Sequence, residues 1–373
     1  NIFFTIFFSK KSFFKIKNLI GSSCNLYFFF NFYNCFDNNQ YNLEYRKKLL
    51  LNFNSSNKFE EFLKLNLFIE IPMSYLETYN EIKKIVKQSN LRKQKIITTV
   101  EYTMDDFYKI WIAEKKKYGS KIYIYDHSNS LRCNFFDYNH DFIISKKIIS
   151  NLKIKNSHYI NLPEIKFSIN KSKYLNKDGK KISIIMYEGP KYTGKCISAP
   201  TSLTNYQLFK QLLIFYSKLN FKIKKNVKFK SPPYSNERFG THSKIKKILG
   251  DSKIYDYRDK MVNVIKDSKL LICTYPQTSF LEILISEKPF ILLISKKHWM
   301  FDKFGEKLIS KLIKSNLLFT NELLAARHIN KISENINKWW DSKENQKNLS
   351  YLKSNYFNFN INTSNSWRKF LSK

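Results

Sequence analysis

No Asp-x-Asp triplet occurs in this sequence, and its 6 histidines form neither a His-Glu-x-x-His motif nor a two-His-carboxylate spacing. The residue sets that hold a catalytic metal are missing, so no metal and no other cofactor is expected. Glycine is scarce at 8 residues, and Gly189, Gly194 and Gly240 lie too far apart to make a phosphate-cradling loop. The 5 cysteines (Cys24, Cys35, Cys133, Cys196, Cys273) are odd in number and lack a Cys-x-x-Cys pair. That excludes a zinc site and a disulfide framework, and implies reduced thiols in the cytoplasm. There is no internal repeat. The first residue is Asn1 rather than Met, which reads as a chain that has lost its start. Its Phe-rich opening is unlike a secretory signal, because Lys10, Lys11, Lys15 and Lys17 interrupt it and no small-residue cleavage pattern follows. The uncharged stretch Asn18 to Phe36 carries 4 Asn and 2 Ser, a poor bilayer span, and reads as a buried strand-turn-strand.

Acidic residues are also few, 30 against 65 Lys and Arg, for a formal charge of +35. Such a balance invites a polyanion partner, because counterion release rewards lysine-rich surfaces. The lysines, however, are spread along the chain and accompany an excess of Asn, Ile, Tyr and Phe, the mark of AT-rich codons. No specific nucleic-acid partner is therefore expected, whereas peripheral contact with an anionic membrane is consistent with the charge. With 43% apolar and 17% aromatic residues over 373 positions, the chain is globular and long enough for two domains.

Strand and helix patterns alternate along it. "RKQKIITTVEY" reads as a strand, "MDDFYKIWIAEKKKYG" as a helix ending at Gly119, and "KIYIYDHSNS" as a strand entering a loop. The polar segment Asn161 to Lys181, with Pro163 and the Asp178-Gly179 pair, marks the boundary between domains 1–165 and 166–373. Beyond it "KISIIMY", "KNVKFK", "KLLICTY" and "PFILLI" are strands. "TNYQLFKQLLIFYSKLN", "HSKIKKILG", "DKMVNVIKDS" and "SFLEILIS" are helices, and helical patterns run to the end. The expected fold is α/β, with two doubly wound, Rossmann-like domains facing a cleft and C-terminal helices. Ligands in such sheets sit at the carboxyl ends of the strands.

One stretch there carries chemistry. In "TYPQTSFLEILIS" a strand ends near Tyr275, Pro276 breaks it, and a helix follows. Two readings fit Glu282. Ser279 and Glu282 match a capping box, which satisfies orphan amides of the first turn. Equally, the amides and the Thr278 and Ser279 hydroxyls suit a diphosphate at a helix N-terminus, with Glu282 accepting from ribose hydroxyls.

This segment resembles the donor-binding segment of GT-B glycosyltransferases. More closely, it is similar to a family of bacterial transferases assigned to lipopolysaccharide or capsule biosynthesis, whose pattern is approximately Thr-Tyr-Asn-x-Thr-Thr-Phe-Leu-Glu. Thr274, Tyr275, Thr278, Phe280, Leu281 and Glu282 match, Ser279 is a mild change, and Pro276 replaces the Asn, removing a side-chain amide and a backbone donor. In "IYDHS", His127 matches a Gln-His-Gly strand end, with Asp126 and Ser128 in the flanking places. In "PKYTGKCISAP", Lys191 stands in an Arg position, and Tyr192, Ser198 and Pro200 are retained. Lys228 stands where an Arg often ends a strand, Asp256 falls on a familiar Asp, and "AARHINKISENINKWWDSKENQ" carries the Trp339-Trp340 signature. The resemblance runs from about Phe68 to the C-terminus.

It implies a transferase that moves a sugar from a nucleotide-sugar donor to a hydroxyl of a surface-glycan or glycolipid acceptor, in the cytoplasm or at the membrane periphery. The second domain would hold the donor through Thr274, Thr278, Ser279, Glu282, Tyr192 and Ser198. Lys191, Lys228 and Arg238 are candidates to neutralise the departing diphosphate. His127, in the first domain, is the candidate general base. Trp299 suits either stacking on a base or sugar or packing in the core, while Trp339 and Trp340 read as packing. Alternatives are transfer of a polyol phosphate from a cytidine nucleotide, an inactive homologue (given Pro276, Asp126, Ser128 and Lys191), and a basic nucleic-acid-binding protein.

Overall fold

The computed structural model describes residues 2–4, 24–26, 40–50, 54–88, 93–126, 135–164, 179–189, 191, 200–235, 238–359 and 363–372. The chain divides into two compact units, Asn1–Tyr125 and Asp126–Lys373. The domain boundary expected at 165/166 falls at the edge of segment 165–178, outside the described residues.

The first unit carries strands β1 (Ile2–Phe4), β2 (Cys24–Leu26), β3 (Lys95–Thr98) and β4 (Lys121–Tyr125) in the order β2-β1-β3-β4. All its pairings are parallel. Of the strand-turn-strand expected over Asn18 to Phe36, β2 is one strand; the rest of that stretch lies outside the described residues. Helices α1 (Leu43–Leu50), α2 (Lys58–Glu70), α3 (Tyr79–Gln88), α4 (Glu101–Met104) and α5 (Asp106–Lys117) complete the unit. Its α1–α2 region is held by a buried ion pair: Arg46 lies 2.6 Å from Glu77 and also donates to the Phe68 and Ile71 carbonyls, closing the α2 C-terminus. That guanidinium holds the Glu77 carboxyl down to about 2.

The second unit opens with α6 (Phe135–Ile144) and the parallel pair β5 (Lys147–Ser150) and β6 (Tyr159–Asn161). A five-stranded parallel sheet follows, built from β7 (Lys181–Ile185), β8 (Val227–Lys230), β9 (Ser268–Cys273), β10 (Phe290–Leu293) and β11 (Leu318–Phe319), in the order β11-β10-β9-β7-β8. The intervening helices are α7 (Ser202–Ser217), α8 (Phe221–Asn226), α9 (Thr241–Leu249), α10 (Met261–Asp267), α11 (Thr278–Ser286) and α12 (Lys303–Lys314). After the sheet come α13 (Glu322–Ile332), α14 (Ile336–Trp340), α15 (Lys343–Tyr356) and α16 (Thr363–Leu371).

Strand period two sorts the core into two layers. Ile182, Ile184, Leu270, Ile272 and Ile291 pack with Leu212 and Phe215 of α7 and with Ala325 and Ile329 of α13. Their neighbours Ile185, Leu271, Cys273, Phe290 and Leu292 point the other way, onto Leu281 and Leu284 of α11, Leu308 of α12 and Leu352 of α15. Helices on both faces explain why the central strands are continuous apolar runs. Each fully buried Ile or Leu contributes about 1.5–3 kcal/mol. Gly179 admits the chain alongside β9, since a Cβ there would lie 2.2 Å from the Ser268 carbonyl oxygen. The C-terminal segment ties back through an antiparallel bridge between Leu152 and Phe357, and the Trp367 indole donates to the Pro163 carbonyl. Among the described residues, no helix is long and apolar enough to cross a membrane.

Candidate active site

A parallel sheet delivers all its strand ends to one edge, and in the second unit that edge is where polar side chains gather. β7 runs out into Tyr187 and Glu188, β8 into Lys230 and Ser231, β9 into Thr274, and β10 into Ser295. A cleft open to solvent lies there, with a cavity of about 30 Å³, lined among others by Tyr187, Phe209, Thr241, Thr274, Ser295 and Glu322. Thr274 fastens its floor: the hydroxyl donates to the Ile185 carbonyl at 3.0 Å and accepts from the Tyr187 amide at 3.0 Å. β7 and β9 are thereby held together one residue past their last ladder bonds.

Two helices start at this edge, and their N-termini differ. α9 begins after Gly240, whose left-handed conformation (φ 63°) turns the chain into the helix. The buried Glu188 carboxylate occupies that start, accepting from the Phe239 amide at 2.7 Å and the Thr241 hydroxyl at 2.6 Å. The Arg238 guanidinium donates to the Glu188 carbonyl at 2.9 Å and lies 3.9 Å from the centre of the Tyr234 ring. Beside them His242 Nδ1 and Ser231 Oγ are 2.9 Å apart, and the imidazole stands edge-on to Tyr257. Burial, then the neighbouring Lys230 charge, lowers the His242 pKa. Lys230 is itself buried, donating to the Asp256 and Tyr257 carbonyls at 3.2 and 2.8 Å, and burial lowers its pKa.

α11 starts differently. Its N-cap is Gln277, in extended conformation, and that side chain makes no capping bond. The expected Ser279–Glu282 capping box is not formed, because the helix begins at Thr278 and Ser279 is already its second residue. The Ser279 hydroxyl instead pairs with the Tyr275 hydroxyl at 2.5 Å. Six of the nine residues of α11 are buried, and the other three, Thr278, Ser279 and Glu282, are half-buried. Positions i, i+1 and i+4 fall on one stripe of a helix, so these three share its accessible face. Next to this start stand three aromatic rings, with Tyr187 centred 5.6 Å from Tyr275 and 4.9 Å from Trp299.

The structure therefore brings together Thr274, Thr278, Ser279 and Glu282 at the edge. Arg238 lies at the same edge, by the start of α9. Lys228 does not reach it: it is the second residue of β8, with its ammonium 4.5 Å from the centre of the Tyr255 ring. The basic residue that ends β8 is Lys230, two positions on. Lys191 is exposed, and Tyr192, Ser198 and His127 lie outside the described residues. Asp126, next to His127, accepts from Ser150 Oγ at 3.3 Å. Trp340 packs against Phe290 and donates to the Glu287 carbonyl, as expected of a packing residue. Glu188, Lys230 and His242 escaped the sequence reading. Their signal was positional: each directly follows or ends a strand, or opens a helix after glycine. Among the described residues, no group of three His, Cys, Asp or Glu side chains could hold a metal.

A model of the LIC12162 family transferases matches residues 1–371. No curated protein matches. Among solved structures, the Anabaena protein Alr3699/HepE, determined in complex with UDP and glucose, is 11% identical, with a TM-score of 0.51 over 100% of this chain and 99% of its own. A glycosyltransferase from Rickettsia africae is 13% identical, at TM-score 0.50 over 100% and 96%. A candidate UDP-N-acetylglucosamine 2-epimerase from Listeria monocytogenes is 10% identical, at TM-score 0.50 over 98% and 93%. At these identities the likeness is one of fold, and the fold is of the GT-B type expected from the sequence.

Proposed function

The chain belongs to the LIC12162 family transferases, and on that footing we propose that it moves a sugar from a nucleotide-sugar donor to a hydroxyl of a surface-polysaccharide or glycolipid intermediate. The observation that carries this reading is the stripe of Thr278, Ser279 and Glu282, the accessible face of α11 at the carboxyl edge of a parallel sheet. A helix N-terminus presents amides and a partial positive charge to a diphosphate, and the neighbouring Thr278 and Ser279 hydroxyls extend that grip. Glu282, one turn further in, accepts from the ribose hydroxyls. Lys191 and Arg238 are the cations we assign to the leaving diphosphate, with Tyr192 and Ser198 in the same donor site; Lys228, expected beside them, lies back along β8 against the Tyr255 ring and takes no part. His127 is assigned as the base that takes the proton of the acceptor hydroxyl. The unit 166–373 is read as the donor domain and 1–165 as the acceptor domain. The reaction is placed in the cytoplasm, where the basic surface favours anionic lipids that carry the acceptor.

The test is binding and turnover of the full chain against uridine-, guanosine- and cytidine-diphosphate sugars, a cytidine-diphosphate polyol, and a polynucleotide. A sugar nucleotide should bind and be consumed, with affinity that changes little with salt. Turnover of the polyol donor alone would reassign the transferred group. Polynucleotide binding with a steep salt slope and no nucleotide-sugar affinity would contradict the reading.

A further inference from the structure

Burying an indole without a partner for its N–H costs about 1–3 kcal/mol, and folds that bury tryptophan for packing usually supply a carbonyl. This fold does so twice: Trp340 donates to the Glu287 carbonyl at 3.2 Å, and Trp367 to the Pro163 carbonyl at 2.8 Å. Trp299, only 2% exposed, is treated differently. Its Nε1 is buried and has no hydrogen-bond partner. Other residues with orphan buried polar atoms, Asn151 and His328 among them, lie elsewhere. Trp299 packs edge-on against Tyr187, a residue that lines the cleft and is tied to Thr274. On its other side Tyr187 meets Tyr275, whose hydroxyl pairs with Ser279 of the proposed donor stripe. The Trp299 indole thus sits one aromatic ring away from the cleft, within the ring cluster at the start of α11.

We propose that Trp299 is a donor-reading residue: its indole N–H donates to an acceptor oxygen of the bound nucleoside diphosphate once the ligand displaces the Tyr187 ring. The inference rests on the donor reading above and adds a specific contact to it. An indole N–H can only donate, so the complementary group is a carbonyl or phosphoryl oxygen and not a hydroxyl hydrogen or a cation. The cost of the orphan in the free protein is recovered on binding, so the contact adds to affinity while the free fold carries the cost. It also gives Tyr187 a role as the ring that shields the N–H until a ligand arrives.

The probes are UDP and UDP-glucose, titrated into the full chain and into Trp299→Phe, which keeps an aromatic ring but removes the N–H. We expect Trp299→Phe to bind about tenfold more weakly, the loss of one hydrogen bond to an ionised or strongly polar acceptor. In the parent, the Trp299 indole N–H resonance should move downfield on saturation. That resonance is assigned by eliminating the other 4 tryptophans in turn, so the spectrum decides even where Trp299→Phe does not fold. Equal affinity of parent and variant, or an indole resonance unmoved by a nucleotide that binds, overturns the proposal and leaves the donor reading standing. A parent that binds neither UDP nor UDP-glucose while binding no other nucleotide sugar overturns both.

Discussion

α9 and α11 start at the same edge of the same sheet, yet a buried carboxylate of the protein sits at the start of α9, whereas α11 opens on half-buried hydroxyls. At α9 the chain supplies its own anion, since the Glu188 carboxylate takes the Phe239 amide and the Thr241 hydroxyl. At α11 the N-cap side chain makes no capping bond, and the accessible face carries two hydroxyls and a carboxylate. Both helices are of the same length, with comparable dipoles, and both follow a strand of the parallel sheet, so helix position alone does not make a ligand site. What distinguishes them is that a carboxylate of the fold itself takes the start of α9. On that criterion α9 is structural, and α11 is where we propose that an external anion binds.

The comparison can be broken first at Glu188. Glu188→Ala strands an amide and a hydroxyl at the start of α9 and should cost about 3 kcal/mol in urea unfolding. Glu188→Gln, which keeps an acceptor oxygen, should cost about 1 kcal/mol. Inorganic phosphate should restore part of the Glu188→Ala loss by taking the vacated helix start. A Glu188→Ala protein as stable as the parent would mean that α9 is not plugged in the sense argued here.

A smaller effect comes from His242, one residue into α9. Burial and Lys230 lower its pKa from 6.5, so below that value the unfolded chain binds more protons than the folded one. Stability contributed by the neutral imidazole is present above pH 6.5 and declines as pH falls through the lowered pKa. His298 and His328 shift in the same direction through burial. Thermal midpoints should therefore fall between pH 7.5 and pH 5.5 (a range of about 2 units around the usual imidazole value), and His242→Gln should flatten part of that slope. An unchanged slope would count against the buried, Lys230-facing setting of this ring.

Much of the fold was legible because it is written in local pattern. Apolar runs bounded by turn residues gave β7, β9 and β10, and Gly119 and Gly250, both at positive φ, marked the ends expected for α5 and α9. The α11 face was half legible. Thr278, Ser279 and Glu282 were singled out together, but the capping box placed the helix start two residues late, because an extended Gln277 has no distinctive side-chain signature. Glu188 was not legible at all. Its partners Phe239 and Thr241 are 51 and 53 residues away, and no spacing rule connects a strand end to the start of a later helix. Lys230 was missed in favour of Lys228 because β8 runs to residue 230 and the edge cannot be located without its neighbours.

The central claim is that the α11 stripe binds the donor, and Glu282 tests it most directly. Calorimetric titration of a nucleotide sugar that binds the parent should show Glu282→Ala and Glu282→Gln weakened about tenfold or more. Their melting midpoints should stay within about 2 °C of the parent, since Glu282 closes no capping box. Variants that bind the donor as the parent does, and only melt earlier, would return Glu282 to the role of a helix residue and contradict the account.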